Sequence, residues 1–148
     1  MSNMHNSKAT RQEEPQTEMS LADIIGRSQS DFELDFFSRI AAQSPCYADI
    51  LVQLGQLLTL KGRHDEALDI DRRLAKLRPQ VPQVAYNLAC SYSLLGRTHE
   101  ALDALRRAIQ LGYWDIDHLL MDPDLTGLHS VPEFQDLLSD LDFELLED

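Results

Sequence analysis

Apolar residues recur at three- and four-residue spacing along most of the chain, and polar residues fill the positions between them. This spacing is typical of amphipathic helices. In 48–81 the apolar residues form two runs separated by Gly62, and a glycine there allows the left-handed conformation that ends a helix. Pro79 ends the second run, because the residue before a proline avoids helical geometry. The segment therefore predicts two helices joined by a tight turn.

The same pattern returns directly afterwards, in 82–115. Placed over 48–81 without a gap, this segment is identical at 11 of 34 positions, among them the glycine and arginine of the turn. Ala67 and Ala101 also coincide, and a small side chain at that position lets two helices approach closely. Internal similarity at a fixed period is the signature of a helical repeat protein.

A 34-residue helix-turn-helix unit with these small and large positions resembles the tetratricopeptide repeat. The resemblance covers about residues 30–140. It implies an all-α fold, in which antiparallel helix-turn-helix repeats stack as a short right-handed α-solenoid with terminal capping helices. The matching positions are Leu54-Gly55, Ala67 and Pro79 in the first copy and Leu88-Ala89, Tyr92, Ala101 and Ala108 in the second.

Several positions depart from that family pattern, including the following two. Tyr113 stands where the second repeat-ending proline is expected, and Asp71 stands where an aromatic residue is expected. For Asp71 two explanations are open. The helix is rotated slightly so that Ile70 and Leu74 cover the core, or the carboxylate is buried and paired with an arginine, since a buried charge needs a partner.

The repeat frame divides the chain into five segments. An N-terminal degenerate repeat is predicted to begin its second helix with Asp31 as N-cap and to turn an apolar face toward its neighbours. Its first helix is expected around Leu21, Ile24 and Ile25. That face comprises Phe32, Phe36, Phe37, Ile40 and Ala41. The segments are a disordered tail (1–18), the degenerate N-terminal repeat (19–47), two repeats (48–81 and 82–115) and an acidic C-terminal capping segment (116–148).

The capping segment predicts a short helix over 115–121 and a turn at Asp122-Pro123. Ser130 and Glu133 form a capping-box pattern with a proline in the first turn, which predicts a final helix starting near Ser130. An Asp-Pro-Asp-Leu turn before a Pro-Glu-Phe helix resembles the closing segment of many bacterial tetratricopeptide proteins. Four apolar side chains are then expected to cover the last repeat: Leu125, Leu128, Phe134 and Leu138.

The distribution of charge along the chain limits the classes of partner that are expected. Residues 116–148 contain 10 acidic side chains and no Lys or Arg, which accounts for −10 of the total charge of −12. An acidic chain repels phosphate backbones, so no nucleic acid is expected as a partner. No apolar run reaches the length of a membrane span, so no membrane is expected either. The first 20 residues contain no apolar stretch typical of a secretory signal, which makes the cytoplasm the expected location. The acidic segment either only solubilises the chain or docks a basic partner.

The resemblance implies a concave groove lined by the first helix of each repeat. Asn87 is the leading candidate, because an amide can both donate to and accept from a peptide backbone. Tyr86 beside it is expected to be exposed as well. A carboxylate clamp is not expected, since only Asn87 fits that pattern and Asp117 reverses the required charge. The predicted groove residues are Val52, Gln53, Gln56, Gln83, Tyr86, Asn87, Cys90, Ser93 and Asp117.

The sequence shows no phosphate-binding loop and no zinc-protease or nucleophile-elbow motif, so no catalytic residue and no cofactor are predicted. Cys46 and Cys90 are expected to be reduced thiols packed like small apolar residues. His118 lies near Asp117 and Asp122, but sequence alone does not bring ligands together, and no metal site is predicted.

These features favour a protein-protein interaction module, an adaptor, scaffold or chaperone-like protein that binds an extended or helical peptide segment of a partner in its groove. A groove that is neutral to acidic suits a segment with some basic character. The alternative is a structural protein that self-associates into a homo-oligomer through its irregular N-terminal unit, with no groove ligand. A third hypothesis, an unrecognised enzyme, lacks any supporting motif.

Overall fold

The computed structural model describes residues 29–146, and the side chains of residues 29–142. Helices account for nearly all of the described regular structure, and the described residues contain no strand. The helices are α1 (Gln29–Gln43), α2 (Ala48–Leu60), α3 (His64–Leu77), α4 (Pro82–Leu94), α5 (Thr98–Gln110), α6 (Ile116–Met121), a 3₁₀ helix (Pro123–Leu128) and α7 (Pro132–Leu146). No helix within this part of the chain is both long and apolar enough to cross a membrane.

The helices pack as consecutive pairs. Helix α2 packs against α3 and α4 against α5, while the contact of α3 with α4 joins one pair to the next. Helix α1 packs on α2, and the 3₁₀ helix packs on α4. The all-α solenoid of stacked helix-turn-helix units is therefore confirmed.

The two inter-helix turns have nearly the same geometry. Gly62 and Gly96 have φ angles of 72° and 71°, in the left-handed region that favours glycine. The amide of the following arginine then bonds back to a helix carbonyl, Arg63 to Leu58 and Arg97 to Tyr92, each at 2.9 Å. The predicted helix ends therefore follow from the repeated Gly-Arg pair.

The core follows the predicted periodicity. Ala67 and Ala101 are both completely buried, which agrees with their predicted role at close helix contacts. The core has two parts. The first holds side chains of α1 to α3, including Leu51, Leu54, Leu58, Ile70 and Leu74. The second joins α4 and α5 to the capping segment through Leu105, Leu119, Leu125, Leu128, Phe134, Leu138 and Leu141.

The capping segment folds back over the second repeat. Leu125, Leu128, Phe134 and Leu138 are buried there, as predicted. Helix α6 agrees with the predicted short helix, and the Asp115 carboxylate caps it by accepting from the backbone N–H of His118 at 2.9 Å. The final helix begins at Pro132, close to the predicted start near Ser130, but this start moves Ser130 out of the N-cap position and corrects the predicted capping box.

Helix α1 packs through only part of the predicted face. Phe32 and Phe36 are exposed, and their rings stack on each other with centroids 6.4 Å apart. Ala41 is buried and Phe37 partly buried, as predicted, and Leu34, which was not predicted, is buried with them, because residues at this three- and four-residue spacing form the stripe that meets α2. Asp31 lies inside the first turn of α1 and is not its N-cap. The predictions for the tail and for Leu21, Ile24 and Ile25 lie outside the described residues.

Candidate partner-binding groove

A groove of about 510 Å³ runs between α2, α4 and the turn that follows α6. Its walls carry three carboxylates, and none of its lining residues is a lysine or an arginine. The lining residues are Val52, Gly55, Gln56, Thr59, Leu60, Asp71, Gln83, Tyr86, Asn87, Cys90, Ser91, His118, Asp122 and Asp124.

Six of the nine predicted groove residues line this groove, and three do not. Gln53 is exposed on α2 outside it, and Asp117 is exposed on α6. Ser93 is buried, facing the 3₁₀ helix near Gly127. The six residues that the structure brings together are Val52, Gln56, Gln83, Tyr86, Asn87 and Cys90. Their role in binding stays a prediction.

Tyr86 is not exposed, which corrects the expectation that it offers a free ring to a partner. Only 2% of its surface is accessible. Its ring stacks on Tyr113 with centroids 4.3 Å apart, and its hydroxyl donates to Asp122 Oδ2 at 2.5 Å. The reason is that the capping segment folds back onto α4 and covers the tyrosine. Tyr86 is therefore a structural residue of the groove floor.

Three amide side chains are accessible in the groove wall. Gln56 and Gln83 are exposed, and Asn87 is half-buried. Gln83 Nε2 donates to Asn87 Oδ1 at 3.0 Å, which holds these two side chains together on α4. Amide groups both donate and accept, so this set, called here the groove amides (Gln56, Gln83 and Asn87), can bind the backbone of an extended peptide.

Asp122 and Asp124 form the acidic end of the groove. The Asp122 carboxylate accepts from the backbone N–H of Asp124 at 2.9 Å through Oδ1, which starts the 3₁₀ helix. Its other oxygen, Oδ2, faces three groups: the Tyr86 hydroxyl, the Cys90 thiol at 3.8 Å and His118 Nε2 at 3.6 Å. Asp122 thus joins α4 to the capping segment.

Burial and nearby charges shift the pKa values of two groups at this end of the groove, Cys90 and Asp124. Burial raises the pKa of the Cys90 thiol well above its usual range, and the neighbouring carboxylates of Asp122 and Asp124 raise it further. Burial also raises the pKa of Asp124, with the charge of Asp122 adding to the effect. The thiol is therefore protonated at neutral pH, and a protonated thiol is a poor nucleophile.

Asp71 lies between the two repeats and combines parts of both explanations offered for it. Ile70 and Leu74 do cover the core, yet Asp71 itself is also buried, with 6% of its surface accessible. Its partner is not an arginine but Ser91, whose hydroxyl donates to Asp71 Oδ2 at 2.5 Å. Burial raises the pKa of this carboxyl to about 6, and the hydrogen bond from Ser91 opposes that shift.

Sequence reasoning missed Ser91, His118, Asp122 and Asp124 as groove residues. The Asp-Pro-Asp motif was visible, but it predicts only a turn, and its position against α4 depends on how the capping segment folds back. The two cysteines also differ from each other. Both are free thiols, but Cys46 is exposed, which corrects the expectation that it packs like an apolar residue, whereas Cys90 is buried.

The comparisons with known proteins agree with this architecture. The tetratricopeptide repeat family matches residues 82–111 in one of its forms and residues 50–85 in another. No curated protein matches the chain.

Among solved structures, "MamA MSR-1 C2" is similar at 30% identity with a TM-score of 0.52 over 55% of this chain, which spans only 47% of that one. "Crystal structure of MamA" is similar at 21% identity, with a TM-score of 0.63 over 83% of this chain and 71% of that one. "MamA RS-1 ArsTM double mutant" is similar at 14% identity, with a TM-score of 0.58 over 85% of this chain and 73% of that one. The last two likenesses show the fold alone. On its two matched repeats and its solenoid fold, the chain is a tetratricopeptide repeat protein.

Proposed function

We propose that the chain is an adaptor that binds a peptide segment of a partner protein in the groove between α2, α4 and the capping segment. A protein-interaction module is the class of function that the repeats and the solenoid fold support. The observation that carries the finer proposal is the composition of the groove wall, where amides and carboxylates occur together without any lysine or arginine. The proposal includes no catalytic step, because this repeat family is typical of non-enzymatic modules.

The groove amides favour a peptide in extended or helical form, because they offer donors and acceptors to its polar groups. The carboxylates favour a segment with at least one lysine or arginine, because complementary charge guides association and suppresses wrong partners. Val52 and Leu60 add apolar surface to the same wall, which suits an apolar side chain next to the basic one.

A peptide array tests this proposal. Full-length protein is applied to peptides that vary in charge and apolar content, as wild type and as the double variant Gln56→Ala, Asn87→Ala. Gln53→Ala is the matched control, since it removes the same side chain from the same helix but outside the groove. We expect basic peptides to bind wild type and the control and to lose at least about tenfold in affinity with the double variant. Equal binding by all three proteins would show that the groove is not the binding surface.

Self-association is a second candidate, favoured by a separate observation on α1. Phe32 is 61% exposed and Phe36 is 49% exposed, and their stacked rings form an apolar patch on the outer face of that helix. Sedimentation of wild type against the double variant Phe32→Ser, Phe36→Ser measures this directly. A wild-type oligomer that becomes a monomer in the variant would support self-association, and a wild-type monomer would remove it.

A further inference from the structure

A buried carboxylate lies at the floor of the groove, between its two helical walls. Asp71 extends from α3 to the seam between α2 and α4 and forms part of the groove lining. Its Oδ1 lies beside Gly55 of α2, where an added Cβ would come within 3.2 Å of it, and its Oδ2 accepts from Ser91 of α4. An aspartate is smaller than the aromatic residue that the repeat pattern places here, and Gly55 has no side chain. The groove is therefore open as far as this carboxylate.

The Asp71 carboxylate retains unused capacity to accept hydrogen bonds. Within the described part of the chain, the Ser91 hydroxyl is the one donor to this side chain, and it bonds to Oδ2. An ionised carboxylate has about four acceptor positions on its two oxygens. Oδ1 therefore has no donor among the described side chains and backbone groups. A donor that enters the groove can bond to it, and burial makes such a bond more favourable than in water.

The negative charge of Asp71 also lacks a counter-charge. The groove lining contains no lysine or arginine, and no ion pair in the described part of the chain includes Asp71. The two arginines that follow it in the sequence bond elsewhere, Arg72 to the Tyr92 hydroxyl and Arg73 to the Pro45 carbonyl. Burial without a cation raises the pKa of the Asp71 carboxyl to about 6, so the free protein holds an unfavourable charge at neutral pH. A cation on the partner would offset that charge.

We propose that a lysine of the partner segment inserts its side chain between α2 and α4 and donates from its ammonium to Asp71 Oδ1. This role rests on the proposed function, since the lysine belongs to the peptide in the groove, and it makes Asp71 the residue that selects a basic segment. Lysine suits the site better than arginine. A guanidinium pairs best with both oxygens of a carboxylate, and Ser91 already occupies Oδ2, whereas an ammonium is a compact donor that needs one oxygen.

Nuclear magnetic resonance of the full-length protein tests the role of Asp71 with short probes of defined charge. The probe is acetyl-Leu-Lys-Leu-amide, and its matched control is acetyl-Leu-norleucine-Leu-amide, which has an apolar side chain without the ammonium. At pH 7.5 Asp71 is ionised, and the lysine peptide should shift its side-chain carboxyl ¹³C resonance. We expect the lysine peptide to bind at least about tenfold more tightly than the norleucine peptide. Tighter binding of acetyl-Leu-Arg-Leu-amide would overturn the choice of lysine.

Three variants identify the carboxylate that is responsible. Asp71→Asn removes the charge and keeps an acceptor for Ser91, and it should bind the lysine and norleucine peptides equally. Asp69→Asn changes an exposed carboxylate of the same helix and should keep the wild-type preference. Asp124→Asn neutralises another carboxylate of the groove lining and should keep it as well. Equal binding of the two peptides by wild type, or a preference for lysine that persists in Asp71→Asn, would overturn the proposal.

The failure of this proposal differs from the failure of the proposed function. If array peptides lose affinity with the double variant Gln56→Ala, Asn87→Ala but the lysine peptide leaves the Asp71 resonance unchanged, the groove binds peptides and Asp71 does not select them. Equal array binding by wild type and that double variant would instead remove the proposed function, whatever the short peptides show at Asp71.

Discussion

The two central repeats have the same turns but different interiors. Gly62 and Gly96 adopt the same left-handed conformation. The gap-free alignment places Asp71 of the first repeat on Leu105 of the second. Leu105 is completely buried among apolar side chains of the second core part, whereas Asp71 is buried against Ser91 of the neighbouring repeat.

This difference shows which positions of a repeat are fixed by the backbone and which by its neighbours. A helix end needs a residue that tolerates positive φ wherever the repeat occurs. The residue type at an interior position depends instead on the side chains that pack against it. Asp71 faces Gly55, where an added Cβ would lie 3.2 Å from Asp71 Oδ1, and the equivalent of Gly55 in the second repeat is the buried Ala89. Gly55 thus leaves space for the Asp71 carboxylate, and Ser91 donates a hydrogen bond to it.

The largest loss of stability is expected when the buried aspartate of the first repeat is introduced at the equivalent position of the second repeat. Leu105→Asp buries a carboxylate among apolar side chains without a hydrogen-bond partner, and should lower the free energy of unfolding by at least about 4 kcal/mol. Urea denaturation followed by circular dichroism measures it. The reverse exchange, Asp71→Leu, removes a buried charge and leaves only the Ser91 hydroxyl without its bond, so it should cost at most about 2 kcal/mol. Equal losses in the two variants would contradict the comparison.

The second-largest effect is the pH dependence of stability that Asp71 causes. Burial raises the folded-state pKa of Asp71 from 3.8 to about 6, so the folded protein binds this proton more tightly than the unfolded chain. The contribution to stability is fully present below the unfolded pKa and is lost as pH rises through about 6. Ionised Asp71 therefore costs about 3 kcal/mol at pH 7.5 relative to its protonated form, from roughly 1.4 kcal/mol per pKa unit.

Asp71→Asn keeps an acceptor for Ser91 and removes the charge. It should be more stable than wild type at pH 7.5 by up to about 3 kcal/mol and nearly equal to it at pH 4, in urea denaturation at both pH values. Asp69→Asn changes an exposed carboxylate of the same helix and should stay within about 0.5 kcal/mol of wild type. A stability difference for Asp71→Asn that does not vary with pH would show that the carboxyl titrates normally.

The smallest effect is expected at the shared turns. Gly62→Ala and Gly96→Ala force an alanine into positive φ with no steric contact nearby, so each should cost about 1–2 kcal/mol, and the two costs should be similar. Gly127→Ala is the control, because its added Cβ would meet Ser93 at an ordinary 3.8 Å and no positive φ is required. Thermal unfolding of the three variants compares them. Clearly unequal costs at the two turns would show that they are not equivalent.

Most of the fold could be predicted from the sequence because its signals are local. The Gly-Arg turns, the buried alanines and the apolar stripes of α2 to α5 depend on spacing within a few residues. The predictions of exposure were wrong where the packing of a residue depends on a segment distant in the sequence. Tyr86 is buried because the capping segment covers it, and Phe32 is exposed because the stripe through which α1 meets α2 does not include it.

The candidate site could be predicted only in part for the same reason. Gln56, Gln83 and Asn87 follow from the repeat frame, since the first helix of each repeat lines the groove. Asp122 and Asp124 come from outside the repeats, and their place beside Cys90 depends on the path of the capping segment. Periodicity carries no information about that path.

The most direct test of the groove as the working surface is site-specific photocrosslinking. A photoreactive amino acid is placed in the full-length protein at Gln56, at Gln53 or at Phe32, and crosslinked products are identified by mass spectrometry. Gln56 lines the groove, Gln53 is exposed on the same helix outside it, and Phe32 lies on the exposed face of α1. We predict that a partner protein crosslinks at position 56 and not at 53 or 32. Crosslinking at 32 to a second copy of the chain, with none at 56, would contradict the account and favour self-association.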